Sequence, residues 1–211
     1  DRSPIQFSEG NHSRLRPGDI KYRDLNGDGV IDDYDKMPIG FCDIPEITYG
    51  FGGAIEWKGF DVSIFFQGTA RVSLFEEGST IVPFSSGYKN NDGFLRGVME
   101  NRWTVDNPDP NARYPRTIRP SDALDNNNTK KSSFWVRNAA FLRLKNAEIG
   151  YTFPKRWMEK MAIQNLRLYV SGVNLLTWAP DVHLFDPDLG SGDGRKYPPT
   201  RVFNVGLNIN F

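Results

Sequence analysis

The chain has one cysteine, two histidines and no excess of either charge, since 26 lysines and arginines balance 26 aspartates and glutamates over 211 residues. Each scarcity excludes something. A lone Cys42 closes no disulfide within the chain and builds no cysteine-ligated zinc site. His12 and His183 stand far apart in loop-like sequence, and no spacing typical of a catalytic triad or a helical metal site joins them. A net charge of zero gives no global field to draw in nucleic acid or an anionic surface. No apolar run approaches the roughly 20 residues of a membrane-crossing helix. That last absence leaves strand-built membrane proteins open, because each of their strands leaves only a short alternating signal.

What the chain does have is aromatic residues. Fifteen Phe, eight Tyr and five Trp sit in a chain that is only 38% hydrophobic, a pairing that suits rings displayed on the outside of a fold. They recur in alternating stretches. From Tyr49 the odd positions read Tyr49, Phe51, Gly53, Ile55, Trp57 and the even ones Gly50, Gly52, Ala54, Glu56, which predicts a two-faced strand. Lys58 and Gly59 make a tight turn, and Phe60, Val62, Ile64 and Phe66 return along one face. Near the end, Phe203, Val205, Leu207, Ile209 and Phe211 alternate with asparagine and glycine, a polar side suited to a hydrated lumen.

Two more strands are predicted. Leu166, Leu168 and Val170 share a face until the pattern blurs near Asn174. Ala147, Ile149, Tyr151 and Phe153 share another, whereas Arg143 and Lys145 fall in the same register higher up, where a bulge would reset it. Pro154 starts a short helix or wide turn between the two. Residues 71–132 and 179–200 read as long loops rich in Gly, Pro, Asn and Asp. Followed strand by strand, every long loop falls on one side of the sheet and the short turns fall on the other, as in an outer-membrane barrel. Five strands do not close a barrel, and the first residues read as mid-loop, so the chain is expected to be a C-terminal piece of something larger.

Residues 24–35, DLNGDGVIDDYD, carry a calcium-type pattern. Asp24, Asn26 and Asp28 supply oxygens at alternate positions, Gly29 turns the chain, Val30 offers its carbonyl and Asp35 closes the set, with Asp32 in reach through a water. The proline- and glycine-containing flanks lack the helices of an EF-hand, so calcium is expected to act as a loop staple. The acidic pairs Asp106/Asp109 and Asp186/Asp188 fall in turns where aspartate serves backbone geometry, and no nucleophile or positioned base accompanies them.

The succession PGDIKYRDLNGDGVIDDYD, PEITYGFGGAIEWKGFDVSIFFQG, NRWTVDNP, FWVRNAAFLRLKNAEIGYTFP, LRLYVSGVNLLTW and YPPTRVFNVGLNINF resembles the C-terminal region of SusC/RagA-type TonB-linked outer-membrane transporters of Bacteroidetes. The resemblance runs from about Pro17 to Phe211. It implies an all-β fold: antiparallel strands of a 22-stranded transmembrane barrel with long extracellular loops. It also implies nutrient import driven through TonB by a part of the protein outside this sequence, a SusD-like lipoprotein as lid, and an oligosaccharide or peptide cargo. On this reading residues 1–45 are an extracellular loop carrying the calcium motif, and residues 46–211 are barrel strands and loops facing outer-membrane lipid. Trp103, Phe134 and Trp135 are candidates for stacking on substrate. The competing expectation is a soluble secreted β-sandwich that binds a partner and carries a calcium-stapled loop; catalysis is not expected.

Overall fold

A computed structural model of the chain describes residues 6–7, 15–78, 81, 95–117, 127–158, 163–192 and 196–211. Two short parallel strands, β1 (Gln6–Phe7) and β2 (Val30–Ile31), come first. The alternating stretches follow as β3 (Ile47–Trp57) and β4 (Phe60–Ala70), joined through Lys58 and Gly59, whose φ angles of 49° and 89° are those of a two-residue hairpin turn. Positive φ at both turn residues gives a twist that matches the strands, and glycine adopts it without steric cost. A three-residue strand β5 (Ser73–Phe75) is paired with β6 (Val136–Asn138), and the helical turn α1 (Arg96–Glu100) lies between them in sequence. The chain then forms β7 (Phe141–Thr152), the turn α2 (Lys155–Met158), β8 (Asn165–Trp178) and β9 (Val202–Asn210).

The long strands make one antiparallel sheet in the order β3-β4-β7-β8-β9. Its register aligns the apolar positions across all five strands. Ile55, Val62, Ile149, Val170 and Val205 form one row, and Trp57, Phe60, Tyr151, Leu168 and Leu207 form the next. The bulge anticipated in β7 is present: the pairing shifts between Leu144 and Asn146, leaving Lys145 out of register. The shift brings Leu144 opposite Phe66 and Leu142 opposite Gly68, so the apolar face continues upward and Arg143 moves to the other face. Asn174, with φ of 55°, marks the matching irregularity in β8.

The chain divides into two compact units, one being residues 41–73, 138–190 and 196–211, which holds the sheet, and the other residues 1–40, 74–137 and 191–195. The predicted long loops 71–132 and 179–200 are therefore more than connections. Within the second unit Leu74, Ile81, Val98, Tyr114 and Trp135 are buried as a small core. Period-based reading misses this core because its members come singly from irregular segments.

Candidate functional site

The sheet has one face that water does not suit. Ile55, Trp57, Phe203 and Val205 are each at least 65% exposed, and Phe51, Phe60, Ile149 and Leu207 at least half, although all lie in regular strands. A sandwich would bury this face against a second sheet; no other sheet of the described residues covers it. Rings band its two ends. Phe60 lies 4.6 Å from Tyr151 between ring centres, and Phe153 continues the row to Trp157 beside the short connections. Near the opposite end Phe51 stacks on Phe66 at 5.2 Å, and Phe66 approaches Trp178 at 6.4 Å. Six residues, roughly 20 Å along a strand, separate Trp57 from Phe51, with aliphatic side chains between the bands. An apolar belt of about 25 Å flanked by aromatic girdles is what a lipid-facing barrel wall presents.

The opposite face is polar and built over glycines. The Arg167 side chain crosses Gly150 to reach Asp61 two strands away and Glu148 at 2.6 Å on the neighbouring strand. A Cβ at Gly150 would stand 2.5 Å from the guanidinium, so only glycine leaves the crossing open. Tyr169 lies over Gly206 in the same way, and Phe65 over Gly50 and Gly52. This accounts for Phe65, the one large apolar residue on the polar side of β4: its ring fills the space of missing side chains.

In the 24–35 turn the carboxylates of Asp24, Asp28, Asp32 and Asp35 face the backbone, and that of Asp33 pairs with Lys36. Gly27 and Gly29 donate their N–H groups to Asp24 at 2.6 and 2.8 Å, Leu25 and Asp32 donate to Asp35 at 2.7 and 2.8 Å, and Val30 donates to Asp28 at 2.8 Å. Gly27 and Gly29 both have positive φ, which lets the chain wrap around Asp24. These amide hydrogen bonds hold the Asp35 carboxyl below the ordinary aspartate range. As donors, the carboxylates of Asp24, Asp28 and Asp35, the Asn26 amide and the Val30 carbonyl suit calcium in type, and an oxygen holding one hydrogen bond keeps a lone pair. Among the described residues no three His, Cys, Asp or Glu side chains gather as a metal-binding group, so a bound ion would share these oxygens with the turn's own amides. No helix flanks the turn; its last three residues, Asp33–Asp35, form a 3₁₀ turn.

The three aromatic candidates separate. Trp135 is 3% exposed, its indole N–H donates to the Asn128 carbonyl at 2.9 Å, and its ring packs beside Tyr114 and Phe134. Trp103 is half-buried and closes over Gly18, where a Cβ would stand 2.3 Å from the indole. Phe134 is half-buried, edge-on to Trp135.

No family model matches the chain. Among curated proteins, TonB-dependent receptor P26 of Formosa agariphila is 30% identical over 208 residues, which is 92% of this chain and 20% of that receptor. TonB-dependent receptor SusC of Bacteroides thetaiotaomicron is 26% identical, covering 93% of this chain and 18% of that protein. Among solved structures, the RagAB peptide transporter superposes with a TM-score of 0.64 over 92% of this chain and 20% of that chain, at 23% identity. The chain belongs to the SusC/RagA-type TonB-dependent receptors. It spans about a fifth of the length of the relatives it matches.

As part of a SusC/RagA-type receptor the chain lies in the outer membrane, and its sheet is a segment of a transmembrane β-barrel wall. The sandwich alternative is thereby overturned: the exposed apolar face is a lipid face. The fold also gives several residues a role that sequence reading did not assign them. Arg143, 2% exposed, donates to Asp186 at 2.5 Å and Asp188 at 2.7 Å, tying the 179–190 segment to β7. Asp186 also accepts the Asp188 N–H, so this acidic pair is an anchor. In the other unit Asn128, 2% exposed, accepts from the Ile20 N–H and donates to Asp19, which forms an ion pair with Arg116. Glu76, fully buried, is paired with Arg137 at 2.9 Å. The sequence signal for Arg143 is a charge that breaks the alternation of its strand; for Asp19, Glu76 and Arg116 it is charge inside turn-rich stretches, which is common on surfaces too, and Asn128 carries none.

Proposed function

We propose that this chain supplies the C-terminal wall and outer loops of a TonB-powered nutrient importer, taking up an oligosaccharide or peptide under a SusD-like lipoprotein lid. The observation that carries the reading is the sheet with two opposite faces, apolar and ring-banded on one side and glycine-rich and polar on the other. Such a wall seals against lipid and lines an aqueous lumen at once. Residues 1–45 serve as an extracellular loop and residues 46–211 as wall and further loops. Trp103 and Phe134, which keep part of their rings accessible, are the candidates for cargo contact. Deleting the parent reading frame should remove growth on one oligomeric nutrient, and the intact frame should restore it. Parental growth of the deletion strain on every oligosaccharide and peptide source supplied would sink the import reading.

Calcium at Asp24, Asn26, Asp28, Val30 and Asp35 is the second part of the proposal, and the one-three-five spacing with Gly29 at the turn supports it. The ion stabilises whichever loop conformation binds it, by about 2.7 kcal/mol when present at 100 times its dissociation constant. Calcium should raise the melting temperature of the detergent-solubilised receptor, and Asp24→Ala with Asp28→Ala should remove that rise. An undiminished rise in the double variant would put the ion elsewhere.

A further inference from the structure

At its short-connection end the sheet sorts its charges by face. Glu56, Asp61 and Glu148 are on the lumen side: Glu56 stands opposite Asp61 in the register, and Asp61 and Glu148 both hold Arg167. On the lipid side rings line the rim. Trp57 pairs with Phe60 across the hairpin, Phe60 lies against Tyr151, and Phe153 carries the row on to Trp157 in α2. Cations border this row. Lys58 Nζ stands 4.7 Å from the centre of the Trp57 ring, which keeps the ammonium on the lipid side of its turn. Lys155 and Arg156 precede Trp157 in the same helical turn, are exposed, and make no hydrogen bond or ion pair among the described residues. The two connections adjoin, since the Thr152 N–H donates to the Gly59 carbonyl at 2.7 Å. In sequence Glu159 and Lys160 follow, so Lys58, Lys155, Arg156 and Lys160 face a single carboxylate of their own stretch. The charge of this rim is positive on the side that meets lipid.

We propose that this rim binds anionic phospholipid of the inner leaflet, with the headgroup phosphate at Lys58, Lys155 and Arg156 and the upper acyl chain against Trp57, Phe60 and Trp157. The long loops are extracellular, so the short connections lie at the periplasmic leaflet. Indole and phenol rings settle at headgroup depth, and lysine and arginine reach from there to phosphate. Rings alone accept any phospholipid. The cations add discrimination, because each lysine or arginine near an anionic surface strengthens attachment about fivefold, whereas a zwitterionic headgroup brings its own compensating ammonium. The carboxylates do not cancel this preference: they stand across the sheet, toward the aqueous lumen. Lipid binding is measured without transport, so the inference stands or falls apart from the import reading.

The test is photolabelling of the intact receptor in phosphatidylcholine vesicles that carry a little phosphatidylglycerol with a diazirine near its headgroup, the labelled peptides being mapped by mass spectrometry. Residues 57–60 and 151–157 should be labelled at least about fivefold more by this probe than by diazirine phosphatidylcholine at the same dose. Lys58→Asn, which keeps a residue suited to positive φ in the turn, combined with Lys155→Gln and Arg156→Gln should bring that ratio to about one, in protein shown to be folded by heat-modifiable migration. Lys155→Glu with Arg156→Glu, which leaves the hairpin untouched, should lower the ratio as well. Equal labelling of this end by the two lipids, or an unchanged ratio in either variant, would overturn the proposal. So would loss of the label to an excess of soluble glycerol phosphate, which would mark a site for free phosphate instead of lipid.

Discussion

Single residues set the local limits of this chain. Tyr22 is half-buried, with its hydroxyl donating to the Asn127 carbonyl at 2.6 Å, and burial pushes its phenol up from 10.0 to about 12. Between those values the unfolded chain ionises while the folded one stays neutral. The stability Tyr22 contributes is complete below its ordinary value and is lost as pH rises toward 12. Burial raises the Tyr114 phenol as well, so tyrosinate absorbance should show more than one phenol titrating late in the folded receptor, and Tyr22→Phe should remove one of them. Asp35 runs in the opposite sense: its carboxyl is held below the usual 3.8, chiefly by the Asp32 amide, so its contribution persists above that value and fades only in stronger acid. Asn128→Ala leaves the part-buried Ile20 N–H without its acceptor and removes a donor from Asp19, and should cost about 1 to 3 kcal/mol, read from thermal unfolding of the receptor. None of these roles is legible from the sequence. An asparagine inside NNNT reads as turn chemistry, and only the fold puts Ile20 and Asp19 within its reach.

At the scale of elements, the sheet makes the sharper demands. Ile64→Arg places a charge on the lipid face in mid-strand and should cost about 2 to 4 kcal/mol of membrane stability. Asn204→Arg, on the other face opposite Ser171, should leave insertion close to normal; Asn208 is a poorer control because it pairs directly with Arg167. Heat-modifiable migration of the receptor on gels distinguishes folded from unfolded barrel, and equal behaviour of the two variants would refute the assignment of faces. Arg143→Met strands Asp186 and Asp188. With Asp188 partly exposed, the expected loss is about 2 kcal/mol, less than for a fully buried pair. Limited proteolysis should then cut the 179–190 segment faster. The strands and their in-and-out pattern were readable because a period of two repeats over eleven residues in both β3 and β4. The upper half of β7 was not, since a single out-of-register residue, Lys145, inverts every position beyond it.

On the scale of the whole molecule, the exposed apolar face and the strands β3 and β9 at the sheet margins call for lipid and for neighbouring strands. Expressed alone in water, the chain should sediment as aggregate and become dispersed only with detergent; a soluble cooperatively folding monomer would contradict the wall assignment. The sequence by itself determined the strands, their lipid-facing positions and the tight turn at Lys58 and Gly59, because alternation and turn chemistry are local properties that neighbouring residues impose. Tertiary structure alone decided that the turn-rich segments pack a core around Trp135, that Arg167 reaches over Gly150 to two acids, and that the turn at Lys58 adjoins the connection carrying Lys155 and Arg156. Those arrangements join residues separated by long stretches of chain, and burial and charge pairing act through space with no trace in local order.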